Sequence, residues 1–111
     1  MANEEEGKAV LRQHGGKHSL LVAAAKGMVQ DVAELIKGGA DVNQTNSDQY
    51  APLHYAAENG HGSVVDQLLQ ARADVNLMDR GGKTPLDIAN DYGKSEVAAR
   101  LLKAAGGGAK S

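Results

Sequence analysis

The chain has 111 residues, 12 of them basic and 14 acidic with the two signs interspersed, and its net charge of −2 gives no long-range attraction to nucleic acid or to an anionic membrane. That length sets one domain at most, and a hydrophobic content of 41% without a single Phe or Trp means that Leu, Val, Ile and Ala must fill the core. The absence of cysteine excludes disulfides and thiolate chemistry, no apolar run is long enough to span a bilayer, and the acidic start Met1-Ala2-Asn3-Glu4-Glu5-Glu6 is unlike a targeting peptide, so the expected location is the cytoplasm, the nucleus or both.

Residues 1–12 read as a solvated leader, in which Ala9-Val10-Leu11 is the one apolar cluster and could cover the open end of a first layer as a short helix. Gly15-Gly16 reads as a turn. Leu20 to Ala25 is a short helix stopped by Gly27, whose freedom at positive φ suits a helix C-terminus. From Val29 to Lys37, Val29, Val32, Leu35 and Ile36 share one helical face while Gln30, Asp31, Glu34 and Lys37 face water. Gly38-Gly39 ends this second helix, and Asp41-Val42-Asn43 leads into an extended finger with Asn46-Ser47-Asp48 at its tip.

The same parts return. Pro52 opens a helix, at the position where its missing N–H wastes no bond, and Gly60 closes it. Val64, Val65, Leu68 and Leu69 carry the helix that follows. A third set begins at Asp79, turns at Gly81-Gly82, enters a helix through Thr84-Pro85-Leu86 and finishes in a helix from about Ser95 to Ala104 with Val97, Leu101 and Leu102 on its apolar face. Residues 106–111 read as a flexible Gly-rich tail.

Shifted by 33 residues, the chain matches itself in one register. Leu20, Leu53 and Leu86 coincide, as do Ala23, Ala56 and Ala89, Gly27, Gly60 and Gly93, and Leu35, Leu68 and Leu101, while Ala40-Asp41-Val42-Asn43 repeats as Ala73-Asp74-Val75-Asn76. Pro52-Leu53-His54-Tyr55-Ala56-Ala57-Glu58-Asn59-Gly60-His61, closing on Ala-Asp-Val-Asn, resembles the ankyrin repeat. The resemblance covers about Gln13 to Ala105 and implies an all-α solenoid of three helix-turn-helix pairs linked by β-hairpin-like fingers. The repeats are placed at 13–45, 46–78 and 79–105, the last serving as a C-terminal cap with a polar outer face.

Several positions depart from the family pattern. The Thr that caps the inner helix and the His that pairs with it are split: the second repeat has His54 but Ala51, the third Thr84 but Asp87, and the first has His18 and Leu21. A lost Thr cap costs about 1 kcal/mol. Arg72 stands where Gly39 makes a left-handed turn, at a cost of about 1 kcal/mol, and Gln49 where the finger has Gly16 and Gly82.

No reactive constellation emerges. His14 and His18 have the i, i+4 spacing of a metal pair, but they flank a Gly-Gly turn and the pattern places no third ligand, so no metal is expected. His54 and His61 fall where the family uses histidine structurally. The tail lacks the glycine and the following helix of a phosphate loop. No carboxylate is predicted into an apolar pocket, and neither an enzyme nor a cofactor is expected.

What the resemblance implies is a small adaptor or regulator, monomeric when free, that grips another protein through its concave face of fingers and inner helices. Carried onto this chain, that face holds Lys17 in the first repeat, then Thr45, Ser47, Asp48 and Tyr50, then Met78, Arg80 and Lys83. The inner helices add Ala25 and Lys26, Glu58 and Asn59, and Asp91 and Tyr92. Tyr50, Tyr92, Met78 and Arg80 are the expected anchors, since aromatic, methionine and arginine side chains dominate interface energy. The outer helices, with Glu34, Gln67 and Arg100, are expected to be solvated support. A different function follows from the resemblance of Asn43 and Asn76 to the family's asparagine-hydroxylation sites, which would make the chain a modification substrate, and a third is a subunit acting as scaffold in a larger complex.

Overall fold

The computed structural model describes residues 19–106. The readings placed on residues 1–18 and 107–111, including the leader, Gly15-Gly16, Lys17, the His14/His18 pair and the tail, lie outside the described residues.

Six helices follow in order: α1 (Leu20–Lys26), α2 (Val29–Lys37), α3 (Pro52–Asn59), α4 (Gly62–Gln70), α5 (Pro85–Asp91) and α6 (Ser95–Ala104). They form three antiparallel pairs. The inner helices stack α1 on α3 on α5, the outer helices stack α2 on α4 on α6, and among these helices substantial packing joins only neighbouring repeats. Gly27 and Gly60 end the first two inner helices at φ 71°, and Gly93 takes the same conformation just past α5 at φ 70°.

The core is one cluster of small and medium side chains, with Leu20, Ala23, Ala24 and Val32 from the first repeat, Leu53, Ala56, Ala57, Val64, Val65 and Leu68 from the second, and Ile88, Ala89, Val97 and Leu101 from the third. Alanines on the inner helices let layers approach closely, and the branched residues of the outer helices fill the space behind them. Leu102, expected on the apolar face, lies half exposed at the end of the stack.

The repeated turns are built from side chains. Asp41 and Asp74 each accept the amide two residues on, from Asn43 and Asn76, at 2.9 Å. At the tips, Asn46 Oδ1 accepts the amides of Asp48 (2.9 Å) and Tyr50 (3.0 Å), and Asp79 Oδ1 accepts those of Gly81 (2.8 Å) and Lys83 (2.9 Å). Each finger closes on two backbone bonds: the Asn46 amide donates to the Tyr50 carbonyl and the Gln49 amide to the Asn46 carbonyl, and in the next finger Asp79 to Lys83 and Gly82 to Asp79 do the same. No strand forms among the described residues. The hairpin-like expectation is thus reduced to Asx-organised turns, because the tip side chain takes up the amides that a ladder would use.

Two details correct the capping expectation. The first repeat does have a cap, since Ser19 accepts the Val22 amide at 3.3 Å and α1 begins one residue later than its counterparts. In the third, Asp87 does what the missing histidine would do: it accepts the Thr84 amide at 3.0 Å while Thr84 Oγ1 accepts its own, a reciprocal capping box.

Candidate functional site

The face formed by fingers and inner helices is organised by pairs that recur one repeat apart. In the second repeat the Tyr50 hydroxyl donates to Glu58 Oε1 at 2.8 Å, strapping the finger to α3. In the third, the residues at the same two places, Lys83 and Asp91, form an ion pair that straps finger to α5. The Asp91 bond is the main reason that the Lys83 ammonium is held above its ordinary pKa.

Tyr50 is the centre of a small aromatic group. Its ring stacks on His54 at 4.9 Å and meets Tyr55 edge-on at 4.7 Å. Burial, then the bond to Glu58 and the charges around it push its phenol well above the usual range. Asn46 Nδ2 donates to the Tyr55 hydroxyl at 2.8 Å, fixing the fingertip over the same group.

His54 lies beneath, fully buried at 0% exposure. Its Nδ1 accepts the Ala51 amide at 3.0 Å, so its proton is on Nε2, which donates to the Lys83 carbonyl at 2.9 Å. One neutral imidazole thereby caps α3 in place of the absent Thr and ties the second repeat to the base of the third finger. Burial lowers its pKa, because a desolvated imidazolium is disfavoured by more than the bond to the Lys83 carbonyl favours it.

Neighbouring repeats are joined elsewhere by similar devices. The Ala25 carbonyl, freed at the end of α1, accepts Asn59 Nδ2 at 3.0 Å and His61 Nε2 at 3.1 Å. The fingertips touch through the Arg80 amide donating to the Asp48 carbonyl at 3.0 Å. Asn43 Oδ1 accepts the Asp74 amide at 2.8 Å, a bond between repeats and not within its own finger. The Asn76 side chain has no such partner among the described residues and is exposed.

The residues expected to bind a partner therefore fall into two groups. Tyr50, Glu58, Asn59, Lys83 and Asp91 are held by bonds within the protein. Ser47, Asp48, Met78, Arg80 and Tyr92 are exposed, and their side chains make no hydrogen bond among the described residues. Met78 and Tyr92 stand out, at 58% and 53% exposed, as large apolar surfaces left open.

Sequence reasoning missed the outer clamps. Gln67 Nε2 donates to the Val29 carbonyl at 3.0 Å, and Arg100, 33 residues on, donates to the Gly62 carbonyl at 3.0 Å while pairing with Asp66 and Glu96. The Asp66 bond is the main reason that Arg100 is held above its ordinary pKa. Amphipathic patterning assigned both to water; their shared register position was the signal that they do the same structural task. The Gln67 Oε1 that this leaves behind is buried without a partner.

Among the described residues no group of three or more metal-ligating side chains comes together, and no helix is long and apolar enough to cross a membrane. No curated protein matches the chain at a significant level. The family model for ankyrin repeats (3 copies) matches residues 20–110, most of the chain. Proteins built of these repeats are typically non-enzymatic binding modules that mediate protein–protein interaction. The stacked helix pairs, the left-handed glycines, the Asx-built fingers and this match together place the chain in the ankyrin-repeat family.

Proposed function

We propose that the chain is a small adaptor or regulator, monomeric when free and acting in the cytoplasm or nucleus, that binds one protein partner through its fingers and inner helices. The observation that carries this is the contrast between Asn59 and Tyr92. They occupy equivalent places, yet the Asn59 amide joins its repeat to the one before, whereas Tyr92 makes no such bond and exposes its ring. A large aromatic released from structural duty, with Met78 and Arg80 exposed in the preceding finger, has the composition of an interface anchor.

The test is calorimetric titration of a partner recovered by affinity capture. Tyr92→Ala is expected to weaken binding at least about tenfold, or about 1.4 kcal/mol, with no change in melting temperature, and Glu34→Ala to change neither. If the outer-helix substitution is the damaging one, the face is misassigned.

A further inference from the structure

The sequence contains one Asn-Gly pair, Asn59-Gly60, at the C-terminal end of α3. The fold uses both members of it. Gly60 turns the chain at φ 71°, and the Lys94 side chain lies 3.0 Å from where a Cβ would stand, so a larger residue there is strained and crowded. Asn59 Nδ2 donates to the Ala25 carbonyl of α1 at 3.0 Å and to the Tyr55 carbonyl at 3.1 Å, so that one amide joins the first two inner helices. The equivalent places in the other repeats hold Lys26-Gly27 and Tyr92-Gly93. Only the middle repeat sets an asparagine before the glycine. Such a pair is reactive, because ring closure between the side-chain carbonyl carbon and the next backbone nitrogen is favourable and glycine puts no side chain in its way.

We infer that Asn59-Gly60 is a site of spontaneous deamidation, released when the joint between the first and second repeats opens and, once converted, holding that joint open. The Gly60 nitrogen bonds to Asn59 Cγ, the Cγ–Nδ2 bond breaks, and ammonia leaves with the Gly60 amide proton, giving a cyclic imide. Water then adds to either imide carbonyl and opens the ring to an aspartyl or isoaspartyl residue. The closed joint holds this reaction back at both atoms: the side-chain amide is aimed at Ala25 and Tyr55, and the Gly60 amide donates to the Ala57 carbonyl at 3.2 Å. Asn59 is nonetheless exposed, and its release needs only the last turn of α3 and its bond to α1 to open, while the core stays closed. The product cannot restore the joint. A carboxylate has no hydrogen to donate, and it sets a negative charge against two carbonyl oxygens with Glu58 next to it in the chain. The isoaspartyl form also adds a methylene to the backbone just before the amides of Gly60 and His61, which close the end of α3 on Ala57 and Ala56.

The test follows the full-length protein at mildly alkaline pH by peptide mapping with mass spectrometry and an isoaspartate assay, in buffer, in urea below the unfolding transition and in urea above it. Expected is conversion at position 59 ahead of every other asparagine, abolished in Asn59→Gln, accelerated by urea below the transition, and at least about tenfold faster in the unfolded chain than in buffer. Asn59→Asp supplies the carboxylate without the chemistry, and is expected to speed amide hydrogen exchange in α1 and α2 about tenfold while leaving α5 and α6 unchanged. Should that variant not fold, wild-type protein already converted, and separated by its added negative charge, gives the same readout. Conversion first at another asparagine, or none in the unfolded chain, would overturn the site. A rate equal in folded and unfolded protein, or indifferent to urea below the transition, would overturn gating by the joint. Exchange in α1 and α2 unchanged by the carboxylate would overturn the claim that the product holds the joint open.

Discussion

At the scale of single residues, the middle repeat depends on one imidazole. His54 can take a second proton only by giving up the Ala51 amide, and its burial already disfavours charge. With a folded pKa below the ordinary value of 6.5, the stability it contributes is whole above that pH and is lost as pH falls toward the lowered value. Urea denaturation at a series of pH values should show this acid limb, and His54→Gln should flatten it. The left-handed Arg72 makes a second residue-scale prediction. At φ 69° it closes the same turn as Gly39, with the same pair of backbone bonds, while carrying a Cβ. Arg72→Gly should therefore stabilise the protein by about 0.5–1 kcal/mol, measured as a higher denaturation midpoint at unchanged slope.

At the scale of elements, the outer helices do more than shield the core. Arg100→Ala removes the bond to Gly62 and two partly solvated ion pairs, and should lower the melting temperature; Lys103→Ala, on the exposed face, should leave it unchanged. Thermal melts of the two variants compare them directly. The helices themselves were legible because apolar spacing, Pro52, Pro85 and the glycines after each inner helix all point to the same boundaries. The clamps were not, since a polar residue at an outer position reads as solvated whether or not a carbonyl of the next layer lies within its reach. The same limit applied on the other face: the sequence placed Tyr50 and Tyr92 together as anchors, and only the coordinates separate a phenol strapped to Glu58 from one left open. Ser19 escaped notice as a cap because the register aligns it with Pro52 and Pro85, where no cap is sought.

For the whole molecule, stability has to be passed from layer to layer. The second repeat is covered on both sides, and Leu53, His54, Ala56, Ala57, Val64, Val65 and Leu68 are sealed within it, whereas among the described residues each outer repeat has one open flank. Native-state hydrogen exchange should accordingly find the slowest amides in α3 and α4, with protection declining through α1–α2 and α5–α6. Uniform protection across the three pairs would mean that the layers do not fray independently.

The glycines after the inner helices carry a consequence for growth. At Gly27 the His61 ring lies where a Cβ would be, only 2.7 Å from its place, and at Gly60 the Lys94 chain does the same at 3.0 Å, so each glycine is a socket plugged by the following unit. Gly93 has the same left-handed backbone, yet nothing among the described residues lies within 4 Å of its own Cβ site. Among the described residues the last layer thus ends in a copied but unfilled joint, and a grafted 33-residue unit bearing His or Lys at the matching place would find its mooring already cut.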